Sequence, residues 1–300
     1  MFISEYAQSQ NVIDVMNRFR LFHTKDEGII FDENHCRALI KKTKETTWIR
    51  FVILWILILI GVVSNILCFH GDRSPIIVLQ FALSAYIFAG VTSYGMQFNT
   101  FCQMVINRFS DINSTLWELT QIDTCPFPRE KLRTLDDVGR CHSALGDIVE
   151  EINWTYGPKT MGLFIVCLLS IMPHLFQVGI GFILSTLQFV AFTHFFWPFL
   201  FIYCIALLTI PAASVSKEAK KTTIILSEML MKCTHGATEK EIVVCMERLN
   251  SRPIQLSLMG LTTLNNNLFG SSMVALIGYF FLVIQSYMTE LDKVHSIGKT

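Results

Sequence analysis

The charge-free run Leu268 to Met288, LFGSSMVALIGYFFLVIQSYM, carries one glutamine, Gln285. Leu282 stands one helical turn before it, and Tyr279 one turn before that, directly after Gly278. At about 1.5 Å per residue such a helix crosses a hydrocarbon core of about 30 Å. An amide facing lipid costs free energy unless it is hydrogen-bonded or wetted. Gln285 is therefore expected to face protein or water. Leu282 and Gln285 share a helix face through their spacing. That face either packs on another helix or borders water. Tyr279 could continue it, although its bulk suits packing. Past the run, Glu290 and Asp292 place carboxylates at its end, with Lys293 beside them.

A second group of polar and aromatic residues lies in other apolar runs: His174 and Gln177, then Gln188, Thr193, His194 and Trp197, and earlier Gln80, Ser84 and Tyr86. Such groups either hydrogen-bond between helices or line a wet pocket in which aromatic walls and a few polar groups hold a small molecule. His174 and His194 have no third ligand placed near them, so no metal site is expected. There is no Walker motif, no HExxH and no GxSxG with partners, which argues against an enzyme and implies no cofactor. Nothing points to nucleic acid.

These residues need a membrane to position them. Of 300 residues, 52% are hydrophobic and 16% charged, and the mean hydropathy is +0.46. The fold class is all-α, a polytopic helical membrane protein. Five spans are expected, at 51–69, 76–98, about 160–181, about 187–212 and 268–288. Gly179, Gly181, Ser185 and Thr186 mark the turn between the third and fourth. Between them lie helical segments with one apolar face. Leu145, Ile148, Val149 and Ile152 make one such face, leading to Tyr156-Gly157-Pro158, where the helix should stop or bend. Ile225, Leu226, Met229 and Leu230 make another, and Ile242, Val243, Met246 and Leu249 a third, before Pro253. The domains expected are a cytoplasmic segment 1–50, a four-span bundle 51–212 with a cytoplasmic helical insert 99–157, a cytoplasmic anchor region 213–267, the last helix 268–288, and an extracellular tail 289–300.

Orientation follows from the basic residues. The segments 1–50, 99–159 and 213–266 hold 21 of the 24 Lys and Arg residues. Cytoplasmic loops carry that excess, so the N-terminus is expected inside and the C-terminus outside. The sequons at Asn113 and Asn153 then lie inside and stay unglycosylated. Of nine cysteines only Cys68 falls near the outer surface, so no disulfide framework is expected. The start, MFISEYAQSQ, is too polar for a cleavable signal peptide.

The last span resembles the C-terminal signature of the insect chemoreceptors, Thr-Tyr, five apolar residues, Gln and Phe. Here it reads Gly278-Tyr279, Phe280 to Ile284, Gln285-Ser286, with Gly278 and Ser286 replacing the flanking Thr and Phe. The segment CHSALGDIVEEINWTYGP is similar to the cytoplasmic helix before the fifth span of gustatory receptors. That family has seven spans. Aligned from the C-terminus, the resemblance matches the five expected spans to its third to seventh and leaves its first two without an expected counterpart, as in a truncated sequence or a shortened receptor.

The resemblance implies a subunit of a ligand-gated, non-selective cation channel in the plasma membrane, a homotetramer or a mixed tetramer with related receptors, whose last helices line one pore. It implies a pore or gate at Gly278, Tyr279, Leu282 and Gln285, outer-mouth charge at Glu290 and Asp292, and a small tastant in the outer bundle among Gln80, Ser84, Tyr86, His174, Gln177, Gln188, Thr193, His194 and Trp197. The alternative, suggested by the missing spans, is a non-conducting, modulatory partner subunit. Membrane lipid surrounds either one.

Overall fold

The computed structural model describes residues 75–121, 129–183, 188–233 and 236–297, together with Ile49, Val52 and Ile56. Five helices account for most of them: α1 Pro75–Thr120, α2 Arg129–Ile183, α3 Gln188–Lys232, α4 Gly236–Ser251 and α5 Asn266–Ile297. α1, α2 and α3 have 46, 55 and 45 residues. Helices of that length reach roughly 70–80 Å, more than twice the hydrocarbon thickness. Each of the three is long enough to hold both a membrane span and an extramembrane segment. Three stretches of the described residues are long and apolar enough to cross a membrane, Leu132–Gly181, His194–Lys232 and Asn266–Thr289. The expected span 76–98 is the first half of α1. The expected span 51–69 falls outside the described residues except for Val52 and Ile56.

Of the two outcomes expected at Tyr156-Gly157-Pro158, a stop or a bend, the stop is excluded, because α2 runs through it. Gly157 has another use: a Cβ there would sit 3.3 Å from the backbone nitrogen of Met259, so its bare Cα admits a neighbouring chain. Gly179 and Gly181 likewise belong to α2 and not to a turn. Ser185 and Thr186 lie outside the described residues.

After α4, Pro253 prevents the helix from continuing, and the chain makes a hairpin that periodicity did not reveal. β1 Ser257–Leu258 pairs antiparallel with β2 Thr262–Thr263. Met259 and Gly260 turn the corner with φ of 53° and 74°, and the Leu261 N–H donates to the Leu258 carbonyl at 3.0 Å. Both turn residues are left-handed, a conformation glycine adopts freely and methionine does not.

The chain forms two compact units. The first takes in Phe98–Lys159 and Ile210–Leu264. Its core comes from Phe109, Ile112 and Leu116 of α1, Leu145, Ile152 and Tyr156 of α2, Leu226 of α3 and Ile242 of α4, all buried. The stripe Leu145, Ile148, Val149 and Ile152 faces inward as its spacing requires. So do Ile225, Leu226 and Met229, and Ile242 and Leu249; Leu230, Val243 and Met246 are half-buried at the edges of those faces. One buried polar network holds α1 to α3. The Asn113 amide donates to the Glu218 carbonyl and to its carboxylate at 3.0 Å each, and the Thr222 hydroxyl donates to Asn113 Oδ1 at 2.7 Å.

The second unit takes in the start of α1, Thr160–Thr209 and the chain from Asn265. Its residues 75–97, 160–209 and 265–289 contain no Asp, Glu, Lys or Arg. Phe88, Ile171, Trp197, Ile205 and Leu208 are buried in it, while Leu169, Phe199, Val274 and Phe281 are exposed. A body that is apolar outside as well as inside suits lipid or further protein chains. The protein is an all-α, multi-pass membrane protein. The free cysteines among the described residues, Cys102, Cys141, Cys167, Cys204, Cys233 and Cys245, are all buried; Cys68 lies outside them.

Candidate functional site

α5 begins with a side-chain cap. Asn265 Oδ1 accepts the Leu268 N–H at 2.8 Å, satisfying one of the N–H groups a helix start leaves free. The helix is then two-faced. On one face Leu276 is buried, Phe280 and Ile284 lie against Gly179 of α2, and the Tyr287 ring meets Phe176 edge-on at 5.8 Å. On the other face Val274, Ile277, Gly278, Phe281, Leu282 and Gln285 are exposed. Leu282, at 63% exposure, and Gln285 share this outward face as their spacing requires. Tyr279 is 54% exposed, so within this chain it does not fill the packing role its bulk suggests. The side chains of Glu290 and Asp292 lie outside the described residues.

The second group centres on two histidines. His174 of α2 and His194 of α3 approach through their Nδ1 atoms at 2.9 Å. Between two neutral imidazoles, one Nδ1 donates its hydrogen and the other accepts it, so the rings hold opposite tautomers. The pair then has one Nε2–H donor and one Nε2 acceptor left. Trp197 stacks on His174 with centroids 5.6 Å apart and planes 11° apart, and Phe201 stacks at 6.0 Å. Phe88 of α1 completes the cluster, edge-on to Trp197 at 6.2 Å and to Phe201 at 5.6 Å. No charged residue belongs to it. The arrangement suits hydrogen bonding and ring stacking with an uncharged molecule.

His174, His194 and Trp197 are thus brought together. Gln177 is exposed. The side chains of Gln80, Ser84, Tyr86, Gln188 and Thr193 lie outside the described residues. The sequence reading missed Phe88 and Phe201. Phe201 lies one turn beyond Trp197, a spacing that could have flagged it; Phe88 has no sequence signal beyond being aromatic. It also passed over Asn153, noted above only as a sequon.

The chain matches the family described as 7tm Chemosensory receptor over residues 1–290. No curated protein matches it. Among solved structures it is similar to the insect olfactory receptor OR5 from Machilis hrabei in complex with eugenol, with a TM-score of 0.69 and 14% identity over 95% of this chain and 77% of that one. The structure of the same receptor described without eugenol gives a TM-score of 0.65 and 15% identity over 95% and 76%. The fold is therefore that of an insect olfactory receptor, a non-enzymatic receptor fold, and the chain belongs to the 7tm chemosensory receptor family.

Proposed function

We propose that this chain is a gustatory-type chemosensory subunit. It assembles as four copies, or with related receptors, into a ligand-gated, non-selective cation channel of the plasma membrane. The N-terminus is cytoplasmic and the C-terminus extracellular. The observation that carries the reading is the two-faced α5. One side is seated on Gly179 through Phe280 and Ile284. The other leaves Leu282 and Gln285 uncovered in a charge-free helix. A glutamine on that face needs water or a second chain, and a central pore lined by four copies supplies both.

In this arrangement a ring of Leu282 side chains forms an apolar constriction from which water and ions withdraw. Gln285 amides offer oxygens to ions once the helices separate, and Glu290 and Asp292 draw cations to the outer mouth. A small tastant binds at the His174–His194–Trp197 cluster and opens the channel by binding the dilated state more tightly. The absence of charge from that cluster favours an uncharged ligand.

The test is expression of this chain alone, with cation current recorded during application of a tastant panel. A tastant-evoked current at normal surface expression is expected. No current alone, together with a changed current when a related receptor is co-expressed, would make the chain a modulatory partner instead.

A further inference from the structure

Five residues on one side of α2 receive the chain that leads into α5. The Arg252 guanidinium binds the carboxylates of Asp147 and Glu150, which raise its pKa above the usual arginine value. Ile254 lies against Gly146, where an added Cβ would be 3.5 Å from its Cδ1. Asn153 then makes both of its amide bonds to the same strand. Its Nδ2 donates to the Gln255 carbonyl at 2.8 Å, and its Oδ1 accepts the Ser257 N–H at 2.9 Å. One turn on, Gly157 admits the backbone of Met259. From Ile254 onward the contacts climb α2 as the strand advances, through Gly146, Asn153 and Gly157, so the strand lies along the helix like a splint. Asn153 bonds the strand's backbone in both directions, as a neighbouring β-strand would. The hairpin closes on itself when the Leu264 N–H donates to the Leu256 carbonyl at 2.8 Å. The next residue, Asn265, caps α5.

We infer that Asn153 is a positioning residue for gating: it latches to α2 the strand Gln255–Ser257, on the chain that leads into α5. The inference rests on the channel reading above. α2 continues from this latch into the segment that carries His174, and the latched strand continues into the helix that carries Leu282. The Asn153 side chain therefore ties together two chain segments of the first unit, one leading along α2 toward His174 and the other leading toward α5. The Arg252 ion pairs are exposed and contribute less, since water screens them.

The test has two arms on the full chain. In the first, amide hydrogen exchange is measured on purified protein in detergent. Asn153→Ala should speed exchange across Gln255–Ser257 about tenfold, the effect of losing roughly one net hydrogen bond or more. Asn153→Asp, which keeps the acceptor for Ser257 and loses the donor to Gln255, should fall between. In the second, ligand-independent cation current is recorded at matched surface expression, and Asn153→Ala should raise it about threefold or more while Arg252→Ala changes it little. Unchanged exchange would remove the latch. Faster exchange with wild-type basal current would leave Asn153 a structural residue and overturn the inference. A wild-type chain that passes no current under any condition, with exchange behaving as expected, would instead remove the channel reading, and the gating role with it.

Discussion

Gly179 of α2 and Ile284 of α5 meet so closely that a Cβ on the glycine would lie 2.5 Å from Ile284 Cδ1. The contact decides which face of α5 is turned inward. Phe280, one turn earlier, lies 3.3 Å from the same point, and the opposite face, with Leu282 and Gln285, is left outside. Gly179→Ala gains up to about 1 kcal/mol of helix propensity, which offsets part of the clash. Gly179→Val has no such margin and should destabilise the protein by about 1–3 kcal/mol through overpacking. Thermal unfolding in detergent should show that loss, and Gly179→Val/Ile284→Ala should recover much of it. A double variant no more stable than Gly179→Val would contradict this seating of α5.

Asn113 and Asn153 are the two sequon asparagines, and each uses its Nδ2 as a donor inside the protein. Asn113 donates to Glu218 and Asn153 to Gln255. Nδ2 is the atom a glycan would occupy. Neither site should carry sugar in cells, and endoglycosidase treatment should leave the mobility of the protein unchanged. A shift would contradict both the packing and the cytoplasmic placement of these segments. Asn113→Ala, which strands the buried Thr222 hydroxyl, should cost about 1–3 kcal/mol of stability.

The helices and their apolar faces were legible in the sequence because burial imposes a period. Leu145, Ile148, Val149 and Ile152 recur at helical spacing and all face the core. The lack of charge from Thr160 to Ser216 showed where lipid-compatible chain must lie. That α2 continues through Gly157 and Pro158 was legible only as one of two outcomes, a bend rather than a stop. Gly157 and Pro158 carry the usual marks of a stop, yet Gly157 serves a contact with Met259, distant in sequence. The hairpin was hidden because each of its strands has two residues, too few for an alternation to register. At the candidate site, His174, His194 and Trp197 stood out as polar or amphipathic groups in apolar runs. Phe88 and Phe201 did not, since a phenylalanine in an apolar run reads as lipid-facing or core until its neighbours are known. Asn153 passed unnoticed because its partners are backbone atoms, which leave no trace in side-chain patterns.

The histidine pair should behave as one unit. Removing either ring leaves the other without its Nδ1 partner. His174→Ala and His194→Ala should each lower the sensitivity to an activating tastant about tenfold, and the double variant should lose little more, as coupled residues do. Concentration–response curves at equal surface expression provide the check. Fully additive losses would show that the two rings act separately.

Gln285 and the carboxylates beyond it should act on permeation and not on folding. Gln285→Ala should change the relative permeability of sodium, potassium and calcium while leaving thermal stability within about 0.5 kcal/mol, as for other exposed positions. Neutralising Glu290 and Asp292 together should lower cation conductance modestly at low salt, with the difference fading as salt screens the charges. Reversal potentials and single-channel conductance at two ionic strengths test both statements.

The most direct measurement is the ligand-independent cation current of Leu282→Ser, compared with the wild type at the same surface density. Leu282 is 63% exposed in the single chain, and the account places it in an apolar ring that dewets the closed pore. Serine wets that ring. The account predicts a standing cation current several-fold above the wild-type level, reduced when Gln285→Ala is added. A current no different from wild type, in a protein that reaches the surface and unfolds at the wild-type temperature, would mean that this face of α5 packs against other chains or lipid and lines no pore.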